Sequence, residues 1–311
     1  MDRGQRAVGA VVGSAVGDAL GAPFEFGRAG EFTGRFPEPG YGGEMCGSRL
    51  WDPGEATDDT QMAVHLAQSL LDRDGLDLAD VFARFQRWAG DQPKDIGNQT
   101  SAVLHYGEPW DRAATVHFER TARAAGNGSL MRATPSAVYF AGAGRAATMD
   151  AARRVSGLTH GDPAAGEGTA IFHELIRVAM AAADPLDAIA DTLAEVDSAQ
   201  RERYAVVLAS NWHPELATEP NGAVWPCLGS AVWALRNTSS FEDALRAAVD
   251  LGGDTDTVAA VTGGLAGAVY GGTAIPLRWT DPLFVPLPGT DQTLRHADLV
   301  ELTHRLLRTN E

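Results

Sequence analysis

Cysteine is scarce in this chain: Cys46 and Cys227 are the only two in 311 residues, far apart and in no C-x-x-C pair. That excludes a disulfide framework and offers no zinc knuckle, and a reducing cytoplasm is the expected compartment. Basic residues are also few, 25 Lys and Arg against 41 Asp and Glu, for a net charge of −16. Without a broad basic face, neither nucleic acid nor an anionic membrane is an expected partner. A small phosphate-bearing ligand stays open, because bound metal ions reverse the field locally. Alternating strand patterns are nearly missing. No Gly-x-x-x-x-Gly-Lys run occurs either, so ordinary nucleotide hydrolysis loses its phosphate cradle.

Two stretches imitate membrane or targeting segments. Arg3 and Arg6 before the apolar run 7–16 copy a signal peptide, but Gly9, Gly13 and Gly17 form a small-residue stripe that fits a buried, closely packed helix. The uncharged segment 257–277 carries five glycines, three threonines and a proline, too little hydrophobicity for a membrane span, so a core helix followed by a loop is expected.

What is present is helical. With 44% hydrophobic and 21% charged residues the chain is globular, and its length allows a sizeable core. Met62, Leu66 and Leu70, then Val258, Val261, Leu265 and Val269, recur on one helix face. Further helices are expected over 79–88, 146–158, 168–183, 186–196, 223–235, 241–249 and 299–307. Phe36–Pro53 and Trp212–Pro226, rich in glycine and proline, read as loops over a site. No composition break or fixed repeat divides the chain, so a compact, monomeric all-α domain over 1–311 is the expectation. Trp88, Trp110, Trp225 and Trp233 are expected in the core, with Trp51 and Trp212 bordering a ligand pocket.

Two acidic clusters stand at helix starts: Thr57-Asp58-Asp59-Thr60 and Asp254-Thr255-Asp256-Thr257. One hydroxyl or carboxylate suffices to cap a helix. Each cluster has two carboxylates with flanking hydroxyls, a hard oxygen set suited to Mg²⁺ or Mn²⁺. Converging, they could hold two ions about 3.5–4 Å apart, as binuclear hydrolytic sites do. Other acidic motifs fail on spacing: Val258 stands where the Asp-x-Asp-x-Thr of a haloacid-dehalogenase-type phosphatase needs its threonine, and Met62 where a terpene synthase needs its third acid.

The chain resembles the ADP-ribosylglycohydrolases in six ordered blocks: GSAVGDALGAPFEF (13–26), ATDDT (56–60), DIGNQT (95–100), GNGSLMR (126–132), THGDPAAGEGTAIF (159–172) and SFEDALRAAVDLGGDTDTVAAVTGGLAGAVYG (240–271). The resemblance implies an orthogonal all-α bundle that hydrolyses the bond from C1″ of ADP-ribose to an acceptor at a binuclear Mg²⁺ or Mn²⁺ centre. Thr57, Asp58, Asp59, Asp254, Asp256 and Thr257 would then be the metal ligands. Glu25 matches a glutamate that serves as acid or base at the metals. Asp95 lies in a block similar to that of the arginine-specific, nitrogenase-reductase-activating members, where it approaches the guanidinium. Asn98, Gly126, Asn127, Gly128 and Ser129 would bind ribose or diphosphate, and His160 would lie near the ligand. Asp18 and Arg132 read as structural, Asp18 bonding exposed backbone N–H groups and Arg132 an internal carboxylate. The implied substrate is an ADP-ribosylated protein, arginine-linked before serine-linked. A modified small molecule, or a non-catalytic ADP-ribose-binding or structural role, are the alternatives.

Overall fold

Two glycine-bearing helices from opposite ends of the chain, Arg3–Gly21 and Thr255–Tyr270, run antiparallel against each other. Gly9 abuts the backbone of Gly267, Gly13 that of Gly263, Gly17 that of Ala259 and Gly21 that of Thr255, so the register advances by four residues at each step. A Cβ at any of these four glycines would fall into the facing main chain, and only glycine admits so close an approach. The first helix has the length and hydropathy of a membrane span, but 94% of that apolar window is buried inside the protein. Asp2 starts it by accepting the Gln5 N–H at 2.7 Å.

The structure is a computed structural model and describes residues 1–122 and 124–308. Among these, 14 further α-helices accompany the central pair, with Asp58–Asp72, Pro163–Met180, Val224–Arg236, Phe241–Val249 and His296–Arg308 packed on it. The only sheet among the described residues is a two-stranded antiparallel ribbon, Phe284–Pro286 with Thr293–Arg295. The fold is therefore all-α.

Helix Phe241–Val249 falls where the apolar periodicity puts it. Pro163–Met180 starts five residues before the expected Gly168, because Asp162 caps it and Pro163 fills its first position. The segment expected as 186–196 is helical only over Ile189–Ala194. Four helices carried no clear periodic signal: Asn98–His105, Ala113–Thr121, Thr134–Phe140 and Ser198–Val207. Trp88 is buried and Trp225 and Trp233 lie half-buried against the core. Trp110 is 38% exposed, which corrects its expected core position: it stands in the turn between two helices. The Phe36–Pro53 loop is pinned by the buried Glu44 carboxylate, which accepts from Arg246 at 3.2 Å, Arg278 at 2.8 Å and the Trp279 indole at 2.9 Å.

Candidate active site

Four chain segments deliver the acidic residues. Asp18, near the end of the first helix, accepts the backbone N–H groups of Thr57 and Thr60 and the Thr60 hydroxyl. This docks the start of Asp58–Asp72, where Thr57 caps the helix by accepting the Asp59 N–H at 3.3 Å. Asp58 and Asp59 then occupy the first turn, where the helix dipole favours negative charge.

The second cluster is set by a glycine turn. Gly252 and Gly253 have φ of +70° and +73°, and Gly252 lies against the backbone at 27–29. The Gly253 carbonyl accepts the Phe26 N–H at 2.6 Å, and the Gly253 N–H is donated to Gly27 at 3.1 Å. The segment bearing Glu25 is thereby tied to the one bearing Asp254 and Asp256. Oxygens of these three carboxylates lie within 4.8 Å of one another.

Asp254 makes no capping bond to its own helix. Its side chain accepts the Asn127 amide at 2.9 Å, while its N–H is donated to Asn221 at 3.0 Å. This joins the GNG loop and the Trp212–Pro226 loop to the acidic cluster. The Gly97 N–H reaches the Asp58 carboxylate, bringing in the DIGN block. Asp95 is not the cap of the helix that follows, Asn98–His105, whose N-cap is Gly97 and carries no side-chain bond.

Burial and mutual repulsion disfavour full ionisation here. Burial first, then Asp95 and Asp254, push Glu25 up to about 8. Burial, then Asp95 and Asp18, push Asp58 up to about 7. Asp59 and Asp256 stand well above the usual carboxylate range, again chiefly from burial. The Asp59 Oδ2 atom is buried with no hydrogen-bond partner. Arg132, the buried cation nearby, is committed elsewhere: it donates to the Gly128 carbonyl at 2.9 Å and the Thr159 hydroxyl at 2.6 Å, and lies over the Phe85 ring. Its role is structural as expected, but through a carbonyl and a hydroxyl rather than a carboxylate. An all-oxygen set with an orphaned buried carboxylate oxygen fits a hard divalent cation.

The carboxylates open into a cleft of about 360 Å³. It brings together Glu25, Asp58, Asp59, Asp95, Asp254, Asp256 and Thr257 with Asn98, Gly126, Asn127, Gly128 and His160. Two expected residues do not line it. Thr57 is buried as a cap, and Ser129 is turned into the core, bonded to Ser156 at 2.8 Å and Thr169 at 3.4 Å. Trp51 and Trp212 do not line this cleft: Trp51 is buried under Lys94, and Trp212, packed near Val207 and Gly229, borders a separate cavity with Arg203 and Trp225. His160 is held neutral by burial. The Thr159 hydroxyl, which receives Arg132, lies 2.8 Å from His160 Nδ1, leaving Nε2 beside Gly126 and Gly128.

Phe26, Ile96, Gly97, Gln99, Thr100 and Met131 complete the wall and were not anticipated. Gln99 braces it by donating to the carbonyls of Ala124 and Thr159, at 3.0 and 3.1 Å. Its place inside the DIGNQT block was the available signal. Asn221, in the glycine- and proline-rich loop, carried none beyond the turn it sits in.

Comparison with known proteins agrees with this geometry. The family model for ADP-ribosylglycohydrolase matches residues 1–310. An ADP-ribosylarginine hydrolase of Pseudomonas putida (strain GB-1) is 31% identical over 288 residues, covering 89% of this chain and 73% of that protein. The ADP-ribosyl-[dinitrogen reductase] glycohydrolase of Rhodospirillum rubrum is 29% identical over 287 residues, covering 89% and 90%. Among solved structures, an ADP-ribosylglycohydrolase-related protein complex superposes with a TM-score of 0.76 at 32% identity, covering 100% of this chain and 99% of that one. The chain belongs to the ADP-ribosylglycohydrolase family and is a hydrolase.

Proposed function

We propose that the protein releases ADP-ribose from ADP-ribosylated arginine by cleaving the bond at C1″. The observation that carries this reading is the convergence of Glu25, Asp254 and Asp256 to within 4.8 Å, in the cleft that also holds Asp58, Asp59 and Asp95. The relatives' names, an ADP-ribosylarginine hydrolase and an ADP-ribosyl-[dinitrogen reductase] glycohydrolase, support the arginine linkage.

Asp58, Asp59, Asp254 and Asp256, with the hydroxyl of Thr257, would hold two Mg²⁺ or Mn²⁺ ions; Thr57, expected among the ligands, instead caps the helix that presents Asp58 and Asp59. Such ions, when bound, let the buried carboxylates ionise together and polarise hydroxyls brought to them. The remaining work falls to the protein. Asn127, fixed by Asp254, and the flanking Gly126 and Gly128 let the substrate's ribose and diphosphate approach the main chain closely. Asn98 stands at the same wall for the diphosphate. Glu25, whose carboxylate stands beside those of Asp254 and Asp256, is placed to move a proton at the reacting centre. Asp95, free of capping duty, offers its carboxylate to the leaving guanidinium.

Matched peptides carrying one ADP-ribosyl group on arginine or on serine test this. Release from the arginine peptide, lost in Asp95→Ala while ADP-ribose binding persists, is expected. Release from the serine peptide alone contradicts the assignment.

A further inference from the structure

Phe26 follows Glu25 directly and stands in the cleft wall. Its neighbours Phe24, Phe32 and Phe36 pack edge to face or tilted against one another in the core, yet Phe26 is 81% exposed. Its φ is +59°, in the left-handed region that bulky side chains rarely adopt. The main chain holds it there: its N–H is donated to the Gly253 carbonyl at 2.6 Å, one residue before Asp254. Strain that turns a large apolar ring toward solvent at the lip of a cleft is a functional outlier rather than a packing solution.

We propose that Phe26 selects the acceptor: its ring face takes the guanidinium of the modified arginine. This rests on the arginine reading above. Through Gly253 the ring is tied to the end of the cleft where the carboxylates gather, which is where the acceptor bond breaks in the proposed reaction. An acceptor group therefore meets it, while the remote adenine lies further along the substrate. The same wall carries Asp95, a carboxylate outside the proposed metal-ligand set, which favours a cationic acceptor there. A guanidinium is planar, permanently charged and weakly hydrated, and it stacks on aromatic faces. A serine acceptor has no such group, so the ring discriminates between the two.

Steady-state kinetics of Phe26→Ala, Phe26→Leu and Phe26→Tyr on a peptide with one ADP-ribosyl-arginine test the assignment. The ring is exposed and Ala is no more strained than Phe at this φ, so all three variants fold. KM rises about 5- to 20-fold in Phe26→Ala with the loss falling on KM rather than kcat, and Phe26→Tyr restores it. Phe26→Leu, which keeps apolar area without the ring, behaves like Phe26→Ala. Equal KM in wild type and Phe26→Ala, or rescue by leucine, overturns the inference alone. A wild-type protein that leaves the arginine peptide intact overturns the functional reading and this inference with it.

Discussion

Asp18 accepts both the backbone N–H and the hydroxyl of Thr60, at 3.1 and 2.5 Å, and so fixes the start of the first acidic helix on the end of the N-terminal one. Burial pushes this carboxyl up to about 6, but four hydrogen bonds from Thr57 and Thr60 hold it down. Asp18→Ala orphans those buried donors and should cost about 3 kcal/mol of stability, partly offset by removing a negative charge near Asp58 and Asp59. Asp18→Asn, which keeps one acceptor oxygen, should cost less. Urea denaturation of the three proteins measures this, and an Asp18→Ala midpoint equal to wild type would contradict the docking role.

The glycine stripe gives a second expectation. A methyl at Gly17 meets the main chain of Ala259, where neither helix can yield without moving the carboxylates at its end. Gly17→Ala should therefore destabilise by about 3 kcal/mol or more. Gly34, also helical, has no atom within 4 Å of where its Cβ would sit, and Gly34→Ala should stabilise by about 0.5 kcal/mol. Thermal denaturation of both variants decides it; equal losses would mean that close approach is not what the stripe serves.

The first of these positions was legible in the sequence, since glycine at every fourth residue predicts a close helix contact. The stripe's partners were not, because Ala259, Gly263 and Gly267 could face any element until the chain closed. The two acidic clusters were likewise visible as motifs, and Asp58, Asp59, Asp254 and Asp256 meet in one cleft. Ser129 shows the limit. It follows Gly128 in the same block, but the turn after Asn127 points its hydroxyl at Ser156 and Thr169. Which way a loop side chain faces depends on tertiary partners far along the chain. Asn221 and Phe26 depend on them too, through Asp254 and Gly253.

Stability should depend on pH in a way that metal reverses. Folding raises Glu25 from 4.5 to about 8 and Asp58 from 3.8 to about 7, so the folded protein without metal binds more protons than the unfolded chain up to those values. The stabilisation belonging to the protonated forms is lost as pH rises through 7 and 8. Buried His65, lowered to about 4, and His173, lowered to about 3, act oppositely, but only below their ordinary 6.5. Between 6.5 and 8 the carboxylates act alone. In chelator, Tm should fall across this window. Mg²⁺ or Mn²⁺ should raise Tm most at its alkaline end, because ligands must be deprotonated to bind. A flat or rising Tm in chelator would contradict the account.

The most direct test of the central claim is metal-dependent release of ADP-ribose from an ADP-ribosyl-arginine peptide, with calorimetric Mn²⁺ binding measured on the same samples. The account predicts release and binding by the wild type, loss of release in chelator, and loss of both in Asp254→Ala/Asp256→Ala. Undiminished release in chelator, or Mn²⁺ binding that survives the double substitution, would contradict it.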